Sequence, residues 1–251
     1  MVSNSSMIKF NEVAPIIFDS GYEKIQADSI SSMTKRAVKT NVHLGSPYSS
    51  RGKNQQGDPV RFVGSVGCRA MHGTEHGFVT AAHCLPKMGL SVCIGETDTN
   101  LGKVTSVKLN ASSDAAFVAV DYDKYYPTNT TYRTKTALYD KILKNSSLVG
   151  YEVSTEGQKT ANVVKAKVTE INKKVHVQKW TPAGQADFYA NNMVYATFTS
   201  SQTQEGDSGG IVYVNGYVAG IHSARLGNTT QIFSSAELVL KDLGLTNIWE
   251  K

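Results

Sequence analysis

The chain of 251 residues lacks any apolar run that approaches the roughly 18 residues needed to span a bilayer, so we expect a soluble protein with no membrane partner. It also lacks a dense basic block with interleaved aromatic residues. Its 26 basic and 21 acidic residues give a net charge of +5, but the lysines are scattered along the chain. Nucleic acid is therefore not an expected partner.

Two further kinds of signal are missing. The first residues, MVSNSSMIKFNEV, lack the charged start and apolar stretch of a signal peptide, which leaves an intracellular protein or a chain trimmed after its signal. No Cys-X-X-Cys or His-Glu-X-X-His spacing occurs, although His72, His76 and His83 or the cysteines offer an alternative zinc set. We expect no metal and no cofactor.

The patterns that are present favour an all-β protein. From Arg61 onward, short β-branched runs are separated by turn residues at fairly even intervals, which is typical of a sandwich or barrel. In VVKAKVTE, the apolar residues Val164, Ala166 and Val168 alternate with polar ones, as in a strand with one wet face. The predicted strands are RFVGSVGC, HGFVTAA, KVTSVKL, AAFVAV, VVKAKVTEI, KKVHVQ, MVYATFT, GIVYV and GYVAGIH.

Three segments fall outside this strand pattern. SSAELVLKDLG predicts a C-terminal helix, with Ser235 as its cap and Gly244 as its end. The polar, poorly periodic segment 122–148 is interpreted as a long surface connection. Residues 1–40 show little alternation and are interpreted as an N-terminal extension or residual pro-segment, which leaves one domain at 41–251.

Three short strings carry the chemistry: TAAHC at 80–84, SDAAFV at 113–118 and GDSGG at 206–210. A serine hydroxyl is a poor nucleophile until an imidazole takes its proton, and the imidazole needs a carboxylate to fix its tautomer. We expect Ser208, His83 and Asp114 to fill these roles. Gly206 allows a sharp turn, so that its N–H and that of Ser208 can form an oxyanion hole.

These strings, in the order His, Asp, Ser, resemble the chymotrypsin-like serine proteases. The similarity is closest to the bacterial streptogrisins and covers about residues 62–249, including SVGC, GIHS and LGLTNIW. The resemblance implies two antiparallel β-barrels, at roughly 41–135 and 136–251, with a C-terminal helix. It also implies a secreted, monomeric serine endopeptidase that acts on proteins or peptides through an acyl-enzyme.

The resemblance further implies a disulfide between Cys68 and Cys84, bracing the catalytic histidine and indicating an oxidising compartment. Cys93 is then left over as a buried thiol. The second disulfide of the family, near the nucleophile, has no counterpart because Gln204 stands where a cysteine is usual.

The residues of the primary pocket depart from the trypsin pattern, since Gln202 stands where trypsin-like enzymes have an aspartate. Thr203 and His222 match the two positions that glutamate-specific relatives use, and a hydroxyl with an imidazole can bind a carboxylate. The alternative is a small or apolar specificity. Ser223 is expected to bond Asp114 and pair with substrate, and Arg225 to add charge or obstruct the groove.

Three questions stay open at this point. The fold could have lost activity and serve as a binding module, or the serine could belong to an esterase, although the order of Asp and His contradicts the latter. The buried Asp207 needs a positive partner, and Thr155 stands where streptogrisins carry an arginine. A lysine, another arginine or an N-terminus freed near Lys35 and Arg36 are the expected substitutes.

Overall fold

The computed structural model describes residues 38 to 246, and the predictions for residues 1–37, including cleavage near Lys35 and Arg36, lie outside this range. Within it the chain forms fifteen strands and one helix of α type. The strands are β1 (Thr40–Leu44), β2 (Pro47–Lys53), β3 (Pro59–Ser65), β4 (Arg69–His72), β5 (Glu75–Thr80), β6 (Ser91–Ile94), β7 (Asn100–Val107), β8 (Ala116–Val120), β9 (Tyr125–Thr131), β10 (Glu152–Glu156), β11 (Val164–Thr181), β12 (Gly184–Phe198), β13 (Ile211–Val214), β14 (Tyr217–Leu226) and β15 (Thr230–Ser235).

Thirteen of the strands form two antiparallel bodies, and β1 and β9 form a separate two-stranded sheet. The first is a seven-stranded sheet in the order β3-β2-β6-β7-β8-β5-β4, and the second is a closed barrel in the order β10-β11-β12-β15-β14-β13. The predicted all-β, two-barrel fold is thus confirmed. Among the described residues, no helix is long and apolar enough to cross a membrane.

Burial explains why the alternating segments become strands. At the start of β11, Val164, Ala166 and Val168 are buried while Lys165 and Lys167 are exposed, as the period of two requires. Ala166 and Val168 belong to the core of the closed barrel. The first body has its own apolar core, formed around Tyr48, Phe78, Leu85, Leu101 and Val118 among others.

The segment 122–148 is only partly the surface connection predicted for it. Tyr125–Thr131 forms β9, which pairs in parallel with β1, and both Tyr125 and Thr131 are buried. The prediction was wrong there because each paired residue of β9 has its partner at least 85 positions earlier (Thr40 with Tyr125), so no local periodicity reveals the pairing. The pairing also places Thr40, assigned above to the extension, in the first strand of the described fold.

The helix α1 (Ala236–Leu243) follows the last strand and packs its buried residues against the interior. Ser235 occupies the capping position, but its side chain makes no capping hydrogen bond and its buried hydroxyl has no partner among the described residues. Gly244 ends the helix with φ of 66°, a left-handed conformation that glycine adopts without strain. The helix, its N-cap residue and its end are as predicted, but the side chain of Ser235 does not make the capping hydrogen bond.

The predicted disulfide is absent from the part of the chain that the structure describes, where Cys68, Cys84 and Cys93 are all free thiols. Cys84 packs in the core of the first body, while Cys68 packs in a separate cluster beneath α1. Burial raises the pKa of the Cys68 thiol to about 12. Cys93 is half-buried, not buried as expected.

A long hairpin of β11 and β12 joins the two bodies. Its two strands pair with each other out to Thr181 and Gly184, but β12 meets β15 only between Met193 and Thr197. The outer part of the hairpin reaches the first body, where Phe188 and Ala186 enter the apolar core. The hairpin therefore passes from one body to the other.

Candidate active site

His83 and Asp114 meet in the interior of the protein. His83 follows the end of β5, and Asp114 lies just before β8, which pairs with β5. The Nδ1 atom of His83 lies 2.6 Å from Oδ2 of Asp114, and the backbone N–H of His83 donates to Oδ1 at 2.9 Å. Two contacts from one residue fix the carboxylate and the imidazole relative to each other.

The surroundings of Asp114 keep it ionised although it is fully buried. Burial alone would raise its pKa, but the charge of His83 and the hydrogen bonds from His83 and the Ser223 hydroxyl outweigh it and lower the pKa. Burial likewise acts to lower the pKa of His83, but the adjacent carboxylate prevails and raises it. The pair thus stabilises an imidazolium at His83.

Ser208 lies on the turn between β12 and β13. Its hydroxyl donates to the backbone carbonyl of Ser223 at 3.1 Å and not to His83, although Ser208 and His83 line the same cavity. Gly209, which follows, has φ of 88° and packs against Thr80 and Ser65, so a side chain at this position would collide with both. Glycine is needed here both for the backbone conformation and for space.

Two backbone donors of this turn are free. Across residues 38–246, neither the N–H of Gly206 nor that of Ser208 donates a hydrogen bond to the protein. Gly206 has φ of 102°, a conformation open to glycine, and its carbonyl accepts from the Ser65 hydroxyl at 2.8 Å. The turn therefore offers two unpaired N–H groups on either side of Asp207.

Asp207 is completely buried and is held by neutral donors, not by the positive group expected from the sequence. Its oxygens accept from the backbone N–H groups of Lys159 at 2.8 Å, Thr160 at 3.0 Å and Gln204 at 2.8 Å. The Thr160 hydroxyl donates to Oδ2 as well. Four hydrogen bonds can stabilise a buried carboxylate without a counter-charge, and within the described residues no cationic side chain pairs with it.

A cavity of about 300 Å³ opens beside Ser208. Its walls come from the segment before the nucleophile, from β14 and from the hairpin strand β11. Two of the predicted pocket residues, Thr203 and His222, line it, and so do Ser223 and Arg225. The structure thus brings all the predicted pocket residues to one cavity with His83 and Ser208.

Thr203 and His222 present different polar groups to the cavity. Both residues are only 2% exposed, and the Thr203 hydroxyl has no hydrogen-bond partner among the described residues. The Nδ1 atom of His222 lies 3.3 Å from Nε2 of Gln231. Burial lowers the pKa of His222 to about 4, so its imidazole is neutral near pH 7.

A sequence profile of one protein family, described as trypsin, matches residues 39–235. The chain belongs to the trypsin family. No curated protein matches the chain.

Solved protease structures share the fold at low sequence identity. Thermobifida fusca protease A superposes with a TM-score of 0.62 at 19% identity, covering 83% of this chain and 99% of that one. Cellulomonas bogoriensis chymotrypsin gives 0.59 at 21% identity, covering 83% and 98%. A glutamic-acid-specific serine protease that uses a histidine triad in substrate binding gives 0.60 at 22% identity, covering 82% and 100%.

Two parts of this site are not evident from the sequence. The hairpin strand contributes Val175, His176, Val177, Gln178 and Lys179 to the cavity wall. The alternation in KKVHVQ predicts the strand, but the strand's place over the cavity depends on the packing of the hairpin tip. Gln231, which contacts His222 from behind, belongs to no motif.

Arg225 lies at the exposed edge of the cavity. Its guanidinium donates to Oε1 of Gln202 at 2.9 Å, and Gln202 donates in turn to the carbonyl of Asn228. The arginine is therefore held at the rim, where it adds positive charge without filling the interior of the cavity.

Proposed function

We propose that this protein is a serine endopeptidase in which Ser208 is the nucleophile, His83 the general base and Asp114 the group that orients His83. One observation carries the proposal: His83 Nδ1 bonds the buried Asp114 at 2.6 Å, beside a cavity that Ser208 lines. Proteins and peptides are the substrates expected of a trypsin-family member.

In the acylation step, Ser208 Oγ attacks the scissile carbonyl carbon while Nε2 of His83 takes the hydroxyl proton. Negative charge then develops on the former carbonyl oxygen. The unpaired N–H groups of Gly206 and Ser208 are suited to bind this oxygen, and each such donor contributes about 3–4 kcal/mol to transition-state stabilisation in comparable enzymes. His83 gives its proton to the departing amine, which leaves an ester on Ser208.

In the deacylation step, His83 removes a proton from water, the hydroxide attacks the ester, and the proton returns to Ser208 Oγ. Before either step, the Ser208 hydroxyl has to turn from the Ser223 carbonyl toward His83. The hydrogen of a serine hydroxyl rotates easily about the Cβ–Oγ bond, and catalytic hydrogen bonds commonly tighten only when substrate is bound.

We further propose that the cavity prefers glutamate at the residue before the cut. A buried hydroxyl without a partner, such as that of Thr203, needs an acceptor. The neutral imidazole of His222 has one N–H to donate, and Arg225 adds charge at the rim. A carboxylate accepts from all three, and the similarity to a glutamic-acid-specific protease agrees with this choice.

Cleavage of a mixed peptide library, read by mass spectrometry, tests this preference. We expect glutamate to be enriched before the cut, and the His222→Ala variant to lose the enrichment while it still hydrolyses small unrelated esters. Enrichment of alanine, valine or leucine would instead favour the small or apolar specificity. Loss of ester hydrolysis in His222→Ala would mean that the residue supports the fold of the site and not its specificity.

Secretion remains a prediction that rests on the resemblance to streptogrisins. The predicted disulfide was the structural argument for an oxidising compartment, and the free thiols of Cys68 and Cys84 remove that argument. Measuring the protein in culture medium and cell lysate of its source would decide its location.

A further inference from the structure

Gln231 lies directly behind the histidine of the primary pocket. It is on β15, completely buried, and its Nε2 atom lies 3.3 Å from His222 Nδ1 and 2.7 Å from the hydroxyl of Thr155. His222 is on the neighbouring strand β14, and Thr155 is on β10. The glutamine therefore links the pocket histidine to the opposite side of the barrel.

The other amide atom of Gln231 is unsatisfied. Its Oε1 is buried without a hydrogen-bond partner among the described residues. A buried carbonyl that accepts nothing is unfavourable, because it has lost its hydrogen bonds to water. The cost is removed if a donor is brought to this oxygen.

The amide can satisfy His222 in two ways. With Nε2 toward the imidazole, as in the structure, the amide donates to an unprotonated Nδ1, which requires a neutral ring. Turned by half a rotation, it presents Oε1 as an acceptor for Nδ1–H, which the charged ring carries. The Thr155 hydroxyl fits both orientations, since it accepts from Nε2 or donates to Oε1.

We propose that Gln231 is a positioning residue that determines the specificity of the pocket, by turning its amide to hold His222 neutral when the pocket is empty and protonated when a substrate carboxylate is bound. This inference rests on the proposed glutamate preference. The proton that charges the ring comes from solvent. The imidazolium then lies between the substrate carboxylate and Oε1 of Gln231 and donates one N–H to each. No bond is made or broken apart from this transfer.

The other charged groups around His222 do not contact its inner nitrogen. Asp207 and Asp114 favour its charged form and His83 opposes it, but burial has the largest effect and lowers the pKa. At the cavity, His176, Lys179, Glu205 and Arg225 lie along the walls and rim. Gln231 alone, among the described residues, has a side chain within hydrogen-bond distance of His222.

Two variants test the proposal in the full-length chain, each checked for folding by thermal unfolding. Gln231→Glu provides only acceptors, so we expect the imidazole of His222 to titrate at least about one pH unit higher, measured by NMR. Gln231→Met keeps the length of the side chain but offers Nδ1 no strong partner. Its preference for a peptide with glutamate over the same peptide with glutamine should fall about tenfold, mainly through KM, with kcat little changed.

The pH profile of the same peptide pair separates this role from a structural one. In the wild type, the preference for glutamate over glutamine should decline as pH rises, and in Gln231→Glu the decline should move to higher pH. Unchanged His222 titration and unchanged preference in folded Gln231→Met would overturn the proposal, even if Gln231→Glu does not fold. If the wild type shows no preference for glutamate, the proposed specificity fails, while the NMR titration still decides whether Gln231 controls His222.

Discussion

The fully buried carboxylate of Asp114 accepts three hydrogen bonds, two from His83 and one from Ser223. Such an environment favours a charged carboxylate, which in turn favours a charged imidazole. His83 consequently has a raised pKa, and its neutral, catalytic form grows as pH increases. The raised pKa of His83 therefore predicts that kcat/KM for peptide hydrolysis rises toward alkaline pH.

Asp114→Asn tests this electrostatic role. The amide removes the negative charge, so the pKa of His83 falls and the rise of kcat/KM should move to lower pH. The amide also fails to hold the right imidazole tautomer, so kcat should fall about 10⁴-fold. A pH profile of peptide hydrolysis measures both effects, and a profile that keeps its midpoint would contradict the assigned cause of the raised pKa.

Among the described residues, Thr160 supplies the one side-chain hydroxyl that donates to Asp207. Thr160→Val should lower the free energy of unfolding by about 1.5–3 kcal/mol, because a hydrogen bond to a buried charge is lost. It should also lower kcat/KM, since Asp207 fixes the turn between the two free N–H groups. Urea denaturation and peptide hydrolysis measure these effects.

Thr128→Val is the matched control, because the Thr128 hydroxyl bonds His43 and Thr128 lies on β9, which pairs with β1 outside the closed barrel. It should cost only about 0.5–1.5 kcal/mol and leave kcat/KM unchanged. Equal losses of activity in the two variants would show that the Thr160 hydroxyl does not act through the turn at residues 206–208.

The sequence predicts those residues whose chemical type the reaction requires. It does not predict residues whose contribution depends only on how the chain packs. Ser208, His83 and Asp114 stand in short strings whose residue types follow from the reaction. The donors to Asp207 are mostly backbone N–H groups. Nearly every residue type carries such a group, so the residue types at positions 159, 160 and 204 do not reveal these donors. The sequence also gives no sign of Gln231, because its contact with His222 depends on the pairing of β15 with β14.

At the scale of elements, the hairpin of β11 and β12 connects the two bodies and forms one wall of the cavity. Its tip is anchored by Phe188 in the first core and by Trp180, whose Nε1 donates to the carbonyl of Lys53 at 2.7 Å. Just before Trp180, residues 175–179 of β11 line the cavity. The position of this cavity wall thus depends on apolar contacts outside the cavity.

Phe188→Ala tests this dependence. It should lower the free energy of unfolding by about 3–5 kcal/mol, the usual cost of emptying a buried phenylalanine site. It should also raise KM for a peptide that fills the cavity more than it lowers kcat, because His83 and Asp114 are not on the hairpin. Denaturant unfolding and steady-state kinetics give the two numbers.

Leu148→Ala is the comparison variant, since Leu148 is fully buried in the core of the closed barrel, away from the hairpin tip. It should cost about 2–5 kcal/mol and leave KM unchanged. A similar rise of KM in both variants would attribute the effect to general destabilisation and not to the hairpin.

Element prediction from the sequence succeeded where pairing is local or burial alternates, and failed where the partner is distant. The start of β11 and the helix α1 show their periods in a few residues. The parallel pairing of β9 with β1 and the length of the hairpin do not, because they depend on contacts between segments far apart in the chain. The disulfide implied by the family resemblance also failed because of packing between distant segments: Cys68 and Cys84 lie in separate clusters.

At the scale of the whole molecule, the two bodies supply different parts of one site. The first carries His83 and Asp114, and the second carries the Ser208 turn, Thr203 and His222. Every donor that stabilises Asp207 comes from within the second body. We therefore expect the turn at residues 206–208 to form without a newly freed amino terminus, and the full-length chain with an intact Met1 to be active.

Labelling of the full-length chain with a fluorophosphonate, followed by mass spectrometry of its peptides, tests the central claim most directly. We expect one adduct per chain on Ser208, no adduct in Ser208→Ala, and peptide hydrolysis that falls in proportion to the labelled fraction. An adduct on another residue, or full peptide hydrolysis by chains completely labelled at Ser208, would contradict the assignment of this serine as the nucleophile.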